Sequence, residues 1–292
     1  MTILVTGATG TIGSQVLAHL AGEGVPIRAL TRSPDKAAFP AGVEAVAGDL
    51  ADPDSLRRAL DGVSTLFLLT ANVPDELTQA MLAVDVARQA GVKGLVYLSV
   101  FRGADYADVP HFVSKATVER MIAALGLPAT ILQPAYFMQN DLRQQQPLTG
   151  MGLYGMPLGN KGLSMIDTRD VGLAAARELL RRARAESPLP AVTYPLVGPD
   201  ALTGDALATL WGEVLGRDVH YAGNSTDMLE QGLRASGPSW LARELLLMLR
   251  RYQSDGAVAS ADDVAATAQV LGRQPRPYRA FAEEAAAAWN AA

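Results

Sequence analysis

Short apolar runs rich in β-branched residues alternate with amphipathic stretches through the first half of the chain. The apolar runs are hydrophobic on both faces, which is typical of strands in a parallel sheet covered by helices on each side. The strands predicted in this way are Thr2–Thr6, Ile27–Thr31, Val43–Ala47, Thr65–Thr70, Gly94–Val100 and Ala129–Gln133. The helices predicted between them are Thr11–Ala21, Asp54–Leu60, Glu76–Gln89 and His111–Leu125. Strict alternation of strand and helix favours right-handed crossovers, so we predict an α/β fold with a doubly wound parallel sheet.

The regular alternation stops after Pro134. Residues 141–165 are rich in Gln, Gly, Pro and Met and predict an irregular segment with little helix. A long helix over Arg169–Arg184 and a strand over Val192–Val197 follow. The remainder is rich in Ala and Leu and predicts helices, with interruptions at Gly216, Gly237-Pro238 and Arg273–Pro277.

The pattern therefore predicts two units of unequal size. The sheet unit takes in residues 1–140, and residues 163–198 return to it. Residues 141–162 and 199–292 form a smaller, mostly helical lobe that caps the sheet. A chain of this length buries roughly three quarters of its extended surface, so it needs no disulfide or metal to fold.

Composition narrows the classes of protein that remain. The 292 residues include no cysteine, which excludes disulfides, thiolate metal ligands and cysteine nucleophiles and fits a reducing compartment. The formal net charge of -5 argues against broad electrostatic binding to nucleic acid or to an anionic membrane. No apolar run approaches the roughly 20 residues that cross a bilayer, and no basic leader precedes the first strand. We therefore expect a cytoplasmic protein with no nucleic-acid or membrane partner.

A glycine-rich turn joins the first predicted strand to the first predicted helix. Its sequence is Thr6-Gly7-Ala8-Thr9-Gly10-Thr11-Ile12-Gly13, a Gly-x-x-Gly-x-x-Gly spacing. Gly7 permits a tight turn, Gly10 lets the backbone approach a pyrophosphate, and Gly13 lets the helix pack close to the sheet. Amides at the helix start, together with the helix dipole, hold phosphate charge. The turn predicts a Rossmann-type dinucleotide site made by Gly7, Thr9, Gly10, Thr11, Ile12 and Gly13, and the alternative is a structural turn with no ligand.

The end of the second strand bears on the choice of dinucleotide. An acidic residue about 20 positions beyond the glycines binds the ribose of NAD, whereas an arginine there accommodates the 2′-phosphate of NADP. Arg32 occupies this position, which favours NADP(H) over NAD(H). The alternatives are that Arg32 is an ordinary solvated arginine and that the nearby Asp35 serves a ribose.

The ends of the third and fourth strands reach the same edge of the sheet. Gly48-Asp49-Leu50 ends the third strand, where the Asp49 carboxylate can accept from an adenine amino group or simply cap the next turn. Leu69-Thr70 ends the fourth strand and is placed to line the middle of a bound dinucleotide. We therefore add Asp49, Leu50, Leu69 and Thr70 to the predicted cofactor site.

Several further segments resemble one known family. Beside the glycine-rich turn, Leu30-Thr31-Arg32 and Gly48-Asp49-Leu50, they are Gln133-Pro134-Ala135-Tyr136-Phe137-Met138-Gln139-Asn140, Ile166-Asp167-Thr168-Arg169-Asp170-Val171 and Leu196-Val197-Gly198-Pro199-Asp200-Ala201-Leu202-Thr203. Together they resemble the NmrA-like group of atypical short-chain dehydrogenases/reductases, well over about residues 1–215 and loosely beyond. That group includes NAD(P)H-dependent quinone reductases, triphenylmethane reductases and azo-reducing enzymes. It also includes regulatory proteins that bind the dinucleotide as a redox signal without turning it over.

The resemblance implies a set of candidate catalytic residues. Short-chain dehydrogenases carry a Tyr-x-x-x-Lys pair on the helix after the fifth strand, and a serine at the end of that strand. Here the pair is His111 and Lys115, on one helix face, and Ser99 stands at the serine position. Lys115 is predicted to contact the nicotinamide ribose, His111 to donate a proton, and Glu119 to steady Lys115. The alternative is a solvated helix face that carries ordinary charges.

The missing tyrosine argues against interconversion of ketones and alcohols, because that reaction needs an acid matched to an alkoxide. Reduction of quinones and cationic dyes depends less on such an acid, because hydride adds to a strongly electrophilic conjugated carbon. We therefore predict an NAD(P)H-dependent reductase of quinone-like or other conjugated electron acceptors, in which the protein mainly supplies orientation. The alternative is a non-catalytic regulatory protein that senses NADP(H). An epimerase-like use of the cofactor is disfavoured for want of the tyrosine.

Apolar side chains after the sixth strand predict the walls of the site. Pro134, Tyr136 and Phe137 are predicted to press on the nicotinamide. The predicted substrate residues are Phe137, Met138, Met151 and Trp240, although such side chains more often pack in a core.

Neither the histidines nor the apolar pattern of the sequence predicts a further site. The three histidines lack carboxylate neighbours at metal-ligand spacing, so no metal is predicted. No heptad seam or apolar stripe requires a dimer, and the sequence leaves a homodimer open.

Overall fold

Seven parallel strands form the central sheet of the computed structural model, which describes residues 1–291. In chain order the strands are β1 (Ile3–Val5), β2 (Ile27–Thr31), β3 (Val43–Ala47), β4 (Thr65–Leu68), β5 (Gly94–Leu98), β6 (Ala129–Pro134), β7 (Leu153–Tyr154), β8 (Val192–Leu196) and β9 (His220–Tyr221). The sheet has the order β3-β2-β1-β4-β5-β6-β8, while β7 and β9 pair separately. The strand order reverses between β1 and β4, and such a switch point opens a crevice at the carboxyl ends of the strands.

Ten α-helices lie within the described residues. They are α1 (Thr11–Leu20), α2 (Pro53–Ala59), α3 (Glu76–Gln89), α4 (Pro110–Ala124), α5 (Thr168–Ala183), α6 (Gly204–Leu215), α7 (Asp227–Ser236), α8 (Ser239–Asp255), α9 (Ala261–Leu271) and α10 (Tyr278–Asn290). The predicted doubly wound α/β fold is confirmed. The strands predicted over Thr65–Thr70 and Gly94–Val100 each end two residues early, because their last residues leave the sheet and line the crevice.

The sheet is buried between two layers of helices. On one face α1, α5 and α9 contribute to a single apolar cluster with the strands. On the other face α2, α3 and α4 do the same. The crossing of α1 and α5 requires a small residue, since a Cβ on Gly172 would lie 2.4 Å from the Gln15 Cβ.

A third apolar cluster packs beside the carboxyl ends of the strands. Its large buried side chains include Tyr154 on β7, Trp211 on α6 and Tyr278 on α10. Asp141 is fully buried among them, where it accepts hydrogen bonds from the hydroxyls of Tyr154 and Tyr278. These bonds help to fix the chain between β6 and α5 against the C-terminal helices.

That segment corrects the prediction of an irregular stretch with little helix over residues 141–165. A 3-10 helix over Met138–Gln144 and a π turn over Pro147–Met151 precede β7. Asp141, within the 3-10 helix, accepts hydrogen bonds from Tyr154 on β7 and Tyr278 on α10, and composition does not show such tertiary partners.

The predicted division into a sheet unit and a smaller lobe stays a prediction. Within the segment assigned to the lobe, α9 packs on the sheet: its Val270 and Leu271 are buried in the cluster that contains α1 and α5. No helix of residues 1–291 combines the length and the apolar character needed to cross a membrane.

Candidate functional site

The glycine-rich turn lies between β1 and α1, at the switch point of the sheet. Gly7 has a φ of +59°, the left-handed region that favours glycine. A Cβ on Gly13 would lie 2.1 Å from the Gly7 carbonyl oxygen, so no larger residue fits there without moving the helix. Thr9, Gly10 and Thr11 are exposed, and the first turn of α1 carries no acidic side chain. The start of α1 is therefore free to accept an anion.

A groove of about 360 Å³ extends from this turn across the ends of β2, β3 and β4. Its lining includes the predicted residues Gly7, Thr9, Arg32, Asp49, Leu50 and Leu69. We call it the glycine groove. Arg32 is exposed, and it has no hydrogen-bond or ion-pair partner among the residues that the structure describes. Asp35 lies on a short 3-10 helix and does not line the groove.

Asp49 forms local hydrogen bonds at the edge of the groove. Its Oδ1 accepts from the Ala51 amide at 2.9 Å, and its own amide donates to the Ser55 hydroxyl at 3.0 Å. The side chain therefore caps the turn before α2 and faces the groove as well, so both predicted uses of Asp49 fit the geometry.

A second cavity of about 260 Å³ lies where β4, β5 and β6 end, and α4 and α8 close it. We call it the inner cavity. It brings together the predicted residues Ile12, Leu69, Thr70, Ser99, His111, Lys115, Pro134, Tyr136 and Phe137. Leu69 lines both the inner cavity and the glycine groove, so the two spaces adjoin at this residue.

Lys115 is held by an ion pair that the sequence did not indicate. Its Nζ lies 2.9 Å from Oε1 of Glu76, the first residue of α3, and donates to the Leu98 carbonyl at 3.3 Å. Thr70 donates to the same Glu76 oxygen at 2.9 Å. Both charged side chains are largely buried, with 13% and 6% of the side chain exposed. One N–H of the ammonium group remains available to a ligand.

Glu119 has a different partner from the one predicted. It accepts hydrogen bonds from the Ser99 hydroxyl and from the Gln133 amide, the latter at 2.9 Å. The prediction that Glu119 steadies Lys115 is therefore wrong. Glu119 is one helical turn beyond Lys115 and faces the end of β6, whereas Glu76 faces the lysine. The Ser99 hydroxyl lines the inner cavity with its proton directed at Glu119.

His111 is held by a residue of α8. The carboxylate of Glu244 accepts from the His111 amide at 2.7 Å and lies 3.3 Å from Nδ1 of the imidazole. The ring nitrogen is buried and not in hydrogen-bonding geometry with that carboxylate. Burial tends to raise the pKa of Glu244, but the contacts with His111 outweigh it and leave the pKa below its usual value. Glu244 therefore places an ionised carboxylate at the start of α4.

An aromatic wall faces the polar residues across the inner cavity. The rings of Tyr136 and Tyr252 meet edge to face with centroids 5.9 Å apart, and Phe137 and Met248 extend the wall. Burial raises the pKa of Tyr136 well above its usual value, so its phenol stays neutral. The wall is shaped for a flat apolar molecule.

The structure separates the remaining predicted substrate residues from the inner cavity. Met138 is fully buried in the third apolar cluster, and Met151 is 67% exposed on the π turn. These positions correct the predictions for both methionines: the Met138 side chain points from the start of the 3-10 helix into the core, and the Met151 side chain lies on the surface. Trp240 lines a neighbouring cavity that shares Asn72 and Glu76 with the inner cavity.

The site as a whole fits a nicotinamide dinucleotide. Exposed glycines and helix amides lie at its centre, an exposed arginine lies at one end, and a lysine with a free N–H lies at the other. Within residues 1–291, no group of three or more His, Asp or Glu side chains is arranged to hold a metal ion.

Comparison with known proteins identifies relatives along the whole chain. The model of the NmrA-like family matches residues 1–272. An NAD(P)H azoreductase of Xenophilus azovorans is 33% identical over 293 aligned positions, covering 99% of this chain and 100% of the relative. The NADPH-dependent quinone oxidoreductase QOR2 of Escherichia coli, solved with NADPH, has a TM-score of 0.84 and 26% identity, covering 97% of this chain and 99% of that chain. The triphenylmethane reductase of Citrobacter sp., solved with NADP(H), has a TM-score of 0.84 and 27% identity, covering 98% of this chain and 100% of that chain.

Proposed function

Because the chain belongs to the NmrA-like family and is an NAD(P)H-dependent oxidoreductase, we propose that it passes hydride from NADPH to a quinone-like or other conjugated electrophilic small molecule. One observation carries this proposal: the inner cavity sets Lys115 and His111 against an apolar aromatic wall, next to the glycine groove. A flat conjugated acceptor suits that wall, and the polar residues suit the ribose and the reduced product.

Residues of the glycine groove bind and orient the cofactor in this proposal. Amides at the start of α1 hold the pyrophosphate, and Arg32 pairs with the 2′-phosphate that distinguishes NADP from NAD. Preference for NADP(H) rests on this exposed cation and on the distance of Asp35 from the groove. When bound, the nicotinamide supplies a hydride to the acceptor.

Lys115 and Glu76 act together at the nicotinamide end. Glu76 and the Leu98 carbonyl accept hydrogen bonds from two of the three N–H groups of the Lys115 ammonium, which fixes the direction of the third. That third N–H donates a hydrogen bond to the ribose hydroxyls in our proposal. Glu76 therefore acts by positioning Lys115.

His111 supplies a proton where the chemistry requires one. A quinone that gains hydride becomes an anion at oxygen, and the imidazolium form of His111 donates one proton to this oxygen, becomes neutral, and then takes up a proton from solvent. A cationic triphenylmethane dye that gains hydride becomes neutral and takes no proton. Glu244 holds the His111 backbone through the amide and places its carboxylate 3.3 Å from Nδ1. The contrast between the two acceptors gives a test that separates hydride transfer from proton transfer.

We predict that His111→Gln lowers kcat for a quinone by about a hundredfold, the usual contribution of a positioned acid, and leaves kcat for a cationic triphenylmethane dye nearly unchanged. Steady-state loss of NADPH absorbance with each acceptor measures both values. Equal losses with the two acceptors would show that His111 is not a proton donor.

The reductase proposal itself is tested by acceptor profiling. NADPH consumption is followed with a panel of quinones, azo dyes and triphenylmethane dyes, and NADPH binding is measured separately by fluorescence. We expect acceptor-dependent turnover with several members of the panel. Tight binding of NADPH with no turnover of any acceptor would instead favour a non-catalytic sensor of NADP(H).

The cellular setting is part of the same proposal. We infer a cytoplasmic enzyme whose partner is a small-molecule electron acceptor, with no role for nucleic acid and with a homodimer as the highest assembly. Light scattering of the purified protein at several concentrations measures the mass directly. A mass above that of two chains would contradict the assembly state.

A further inference from the structure

A third cavity, of about 390 Å³, adjoins the inner cavity and has no part in the proposed transfer. We call it the side cavity. It lies between the starts of α3 and α4 and the first half of α8, and it shares Asn72 and Glu76 with the inner cavity. The two cavities meet at these residues, so a ligand of the inner cavity that reached past Glu76 would place a substituent in this second space.

The walls of the side cavity suit a flat ring. Trp240 is half-buried there, and Pro74, Pro110 and Leu247 supply the other apolar surfaces. Trp240, Arg243 and Leu247 follow helical spacing along α8, which places them on one face of the helix. An indole presented with prolines and a leucine offers stacking and apolar contact to an aromatic group.

Three charged side chains line the side cavity: two buried carboxylates, Glu76 and Glu244, and the exposed guanidinium of Arg243. Glu76 is paired with Lys115, and Glu244 accepts from the His111 amide at the start of α4, where the helix dipole stabilises an anion. Arg243 is exposed at the mouth, and within residues 1–291 its guanidinium has no hydrogen-bond or ion-pair partner. A guanidinium with all five donors free matches the two oxygens of an oxyanion.

We propose that the side cavity is a subsite for an aromatic substituent carrying an oxyanion, such as a carboxylate, sulfonate or phosphate. The ring packs against Trp240 and the oxyanion pairs with Arg243, while the reducible part of the same molecule occupies the inner cavity. The inference rests on the proposed function, since it assigns the class of acceptor that this reductase prefers.

The first test compares a neutral naphthoquinone with its sulfonated derivative. In Arg243→Gln, the kcat/KM for the sulfonated acceptor divided by that for the neutral one should fall about tenfold from the wild-type ratio, chiefly through KM. Dividing by the wild-type ratio removes the difference in intrinsic reactivity between the two quinones. The matched control is Arg250→Gln, an exposed arginine two turns further along α8 and outside the cavity, which should leave the ratio unchanged.

The second test measures binding without turnover. A naphthalenesulfonate, which no hydride can reduce, should quench tryptophan fluorescence in the wild type, and Trp240→Phe should remove the quenched component. In Arg243→Gln the concentration that gives half of the quenching should rise about tenfold. Parent naphthalene serves as the uncharged control, and its binding should not distinguish Arg243→Gln from Arg250→Gln.

The outcomes separate this inference from the reductase proposal. Turnover of both quinones with a ratio that Arg243→Gln does not change would overturn the subsite and leave the reductase intact. Absence of turnover with quenching that depends on Arg243 would overturn the reductase and keep an oxyanion site. A KM for NADPH that rises equally with both acceptors would assign Arg243 to the cofactor and overturn the subsite.

Discussion

Arg32 follows β2 directly as an exposed cation on the glycine groove, and its side chain decides the choice of dinucleotide in our proposal. Arg32→Asp replaces a partner for the 2′-phosphate with a carboxylate that repels it and can accept from a ribose hydroxyl. The ratio of kcat/KM for NADPH to that for NADH should fall by at least about tenfold. Initial rates with each dinucleotide at a fixed acceptor concentration measure this ratio.

Lys36→Asp provides a control with the same change of charge. Lys36 is exposed on the 3-10 helix just after Arg32 and does not line the groove. An equal fall of the NADPH to NADH ratio in both variants would mean that the overall electrostatic potential of the surface, and not a contact of Arg32, sets the preference for NADPH.

The ion pair of Lys115 and Glu76 has a structural and a functional consequence that can be separated. Lys115→Met leaves Glu76 buried beside Thr70 without its cation, which costs about 3 kcal/mol of unfolding free energy. The same variant should raise the KM for NADPH at least about tenfold. Denaturant unfolding and steady-state kinetics measure the two effects.

The double variant Lys115→Met/Glu76→Gln distinguishes these effects. Removing both charges should restore most of the stability, because a neutral amide can still accept from Thr70. The KM for NADPH should stay high. Recovery of KM together with stability would reduce Lys115 to a structural role.

Helix α1 shows how one close contact shapes an element and its ligand site. Gly13→Ala puts a methyl group 2.1 Å from the Gly7 carbonyl oxygen, so the helix must move away from the turn. We expect a loss of about 3 kcal/mol in stability and at least about tenfold weaker NADPH binding. Thermal unfolding and fluorescence titration of NADPH provide the two readouts.

Gly232→Ala is the matched control for α1. Gly232 lies inside α7, and a Cβ there would meet nothing within 4 Å. Alanine at this position should stabilise the protein by about 0.5 kcal/mol through helix propensity and leave NADPH binding unchanged. A loss of binding in this control would point to global damage by glycine replacement.

Helix α8 joins the C-terminal half to the chemistry. It supplies Glu244 to the start of α4, Met248 and Tyr252 to the inner cavity, and Trp240 and Arg243 to the side cavity. In our proposal the acceptor specificity therefore depends on α8, an element that neither the glycine-rich turn nor the pair of His111 and Lys115 indicates.

Stability of the whole molecule should depend on the ionisation of Asp141. Burial raises its pKa from 3.8 to about 6, against the opposing effect of the bonds from Tyr278 and Tyr154. The pKa of Asp141 is higher in the folded chain than in the unfolded chain, so protonated Asp141 favours folding. This contribution to the unfolding free energy is complete below about pH 4 and is lost as the pH rises through about 6. A shift of about two pKa units corresponds to about 3 kcal/mol at neutral pH.

Asp141→Asn should therefore remove this dependence. The difference in unfolding free energy between the variant and the wild type should grow in favour of the variant from pH 4 to pH 7 by about 3 kcal/mol. Urea unfolding of both proteins at several pH values measures this difference. The contributions of the other titrating groups cancel in it, because both proteins contain them. Parallel curves for the two proteins would show that Asp141 does not titrate in the folded state over this range.

Local patterns in the sequence predicted most of the sheet and several of the residues that the candidate site brings together. Strand and helix alternation gave the doubly wound fold, and the bounds of β2, β3 and α3 agree with those of the structure. The glycine-rich turn and the pair of His111 and Lys115 were identifiable because their chemistry depends on residues close together in the chain. Such features are fixed by backbone geometry over a few residues, which a sequence displays directly.

Partners that arrive from distant elements were not predictable. Glu76 reaches Lys115 from the start of another helix, and Glu244 meets the His111 amide from 133 residues away. Glu119, by contrast, lies at the expected spacing from Lys115 but accepts hydrogen bonds from Ser99, just after β5, and from Gln133 on β6. Met138 and Met151 failed as substrate residues for the same reason, since the sequence shows that a side chain is apolar but not which space it faces. Thus the chain's short-range pattern specifies the fold and a place for the dinucleotide. The packing of α3 and α8 across the sheet edge decides which charged side chains are paired and which remain for an acceptor. Only the tertiary structure decides this, because ion pairing depends on distances that only the folded chain establishes.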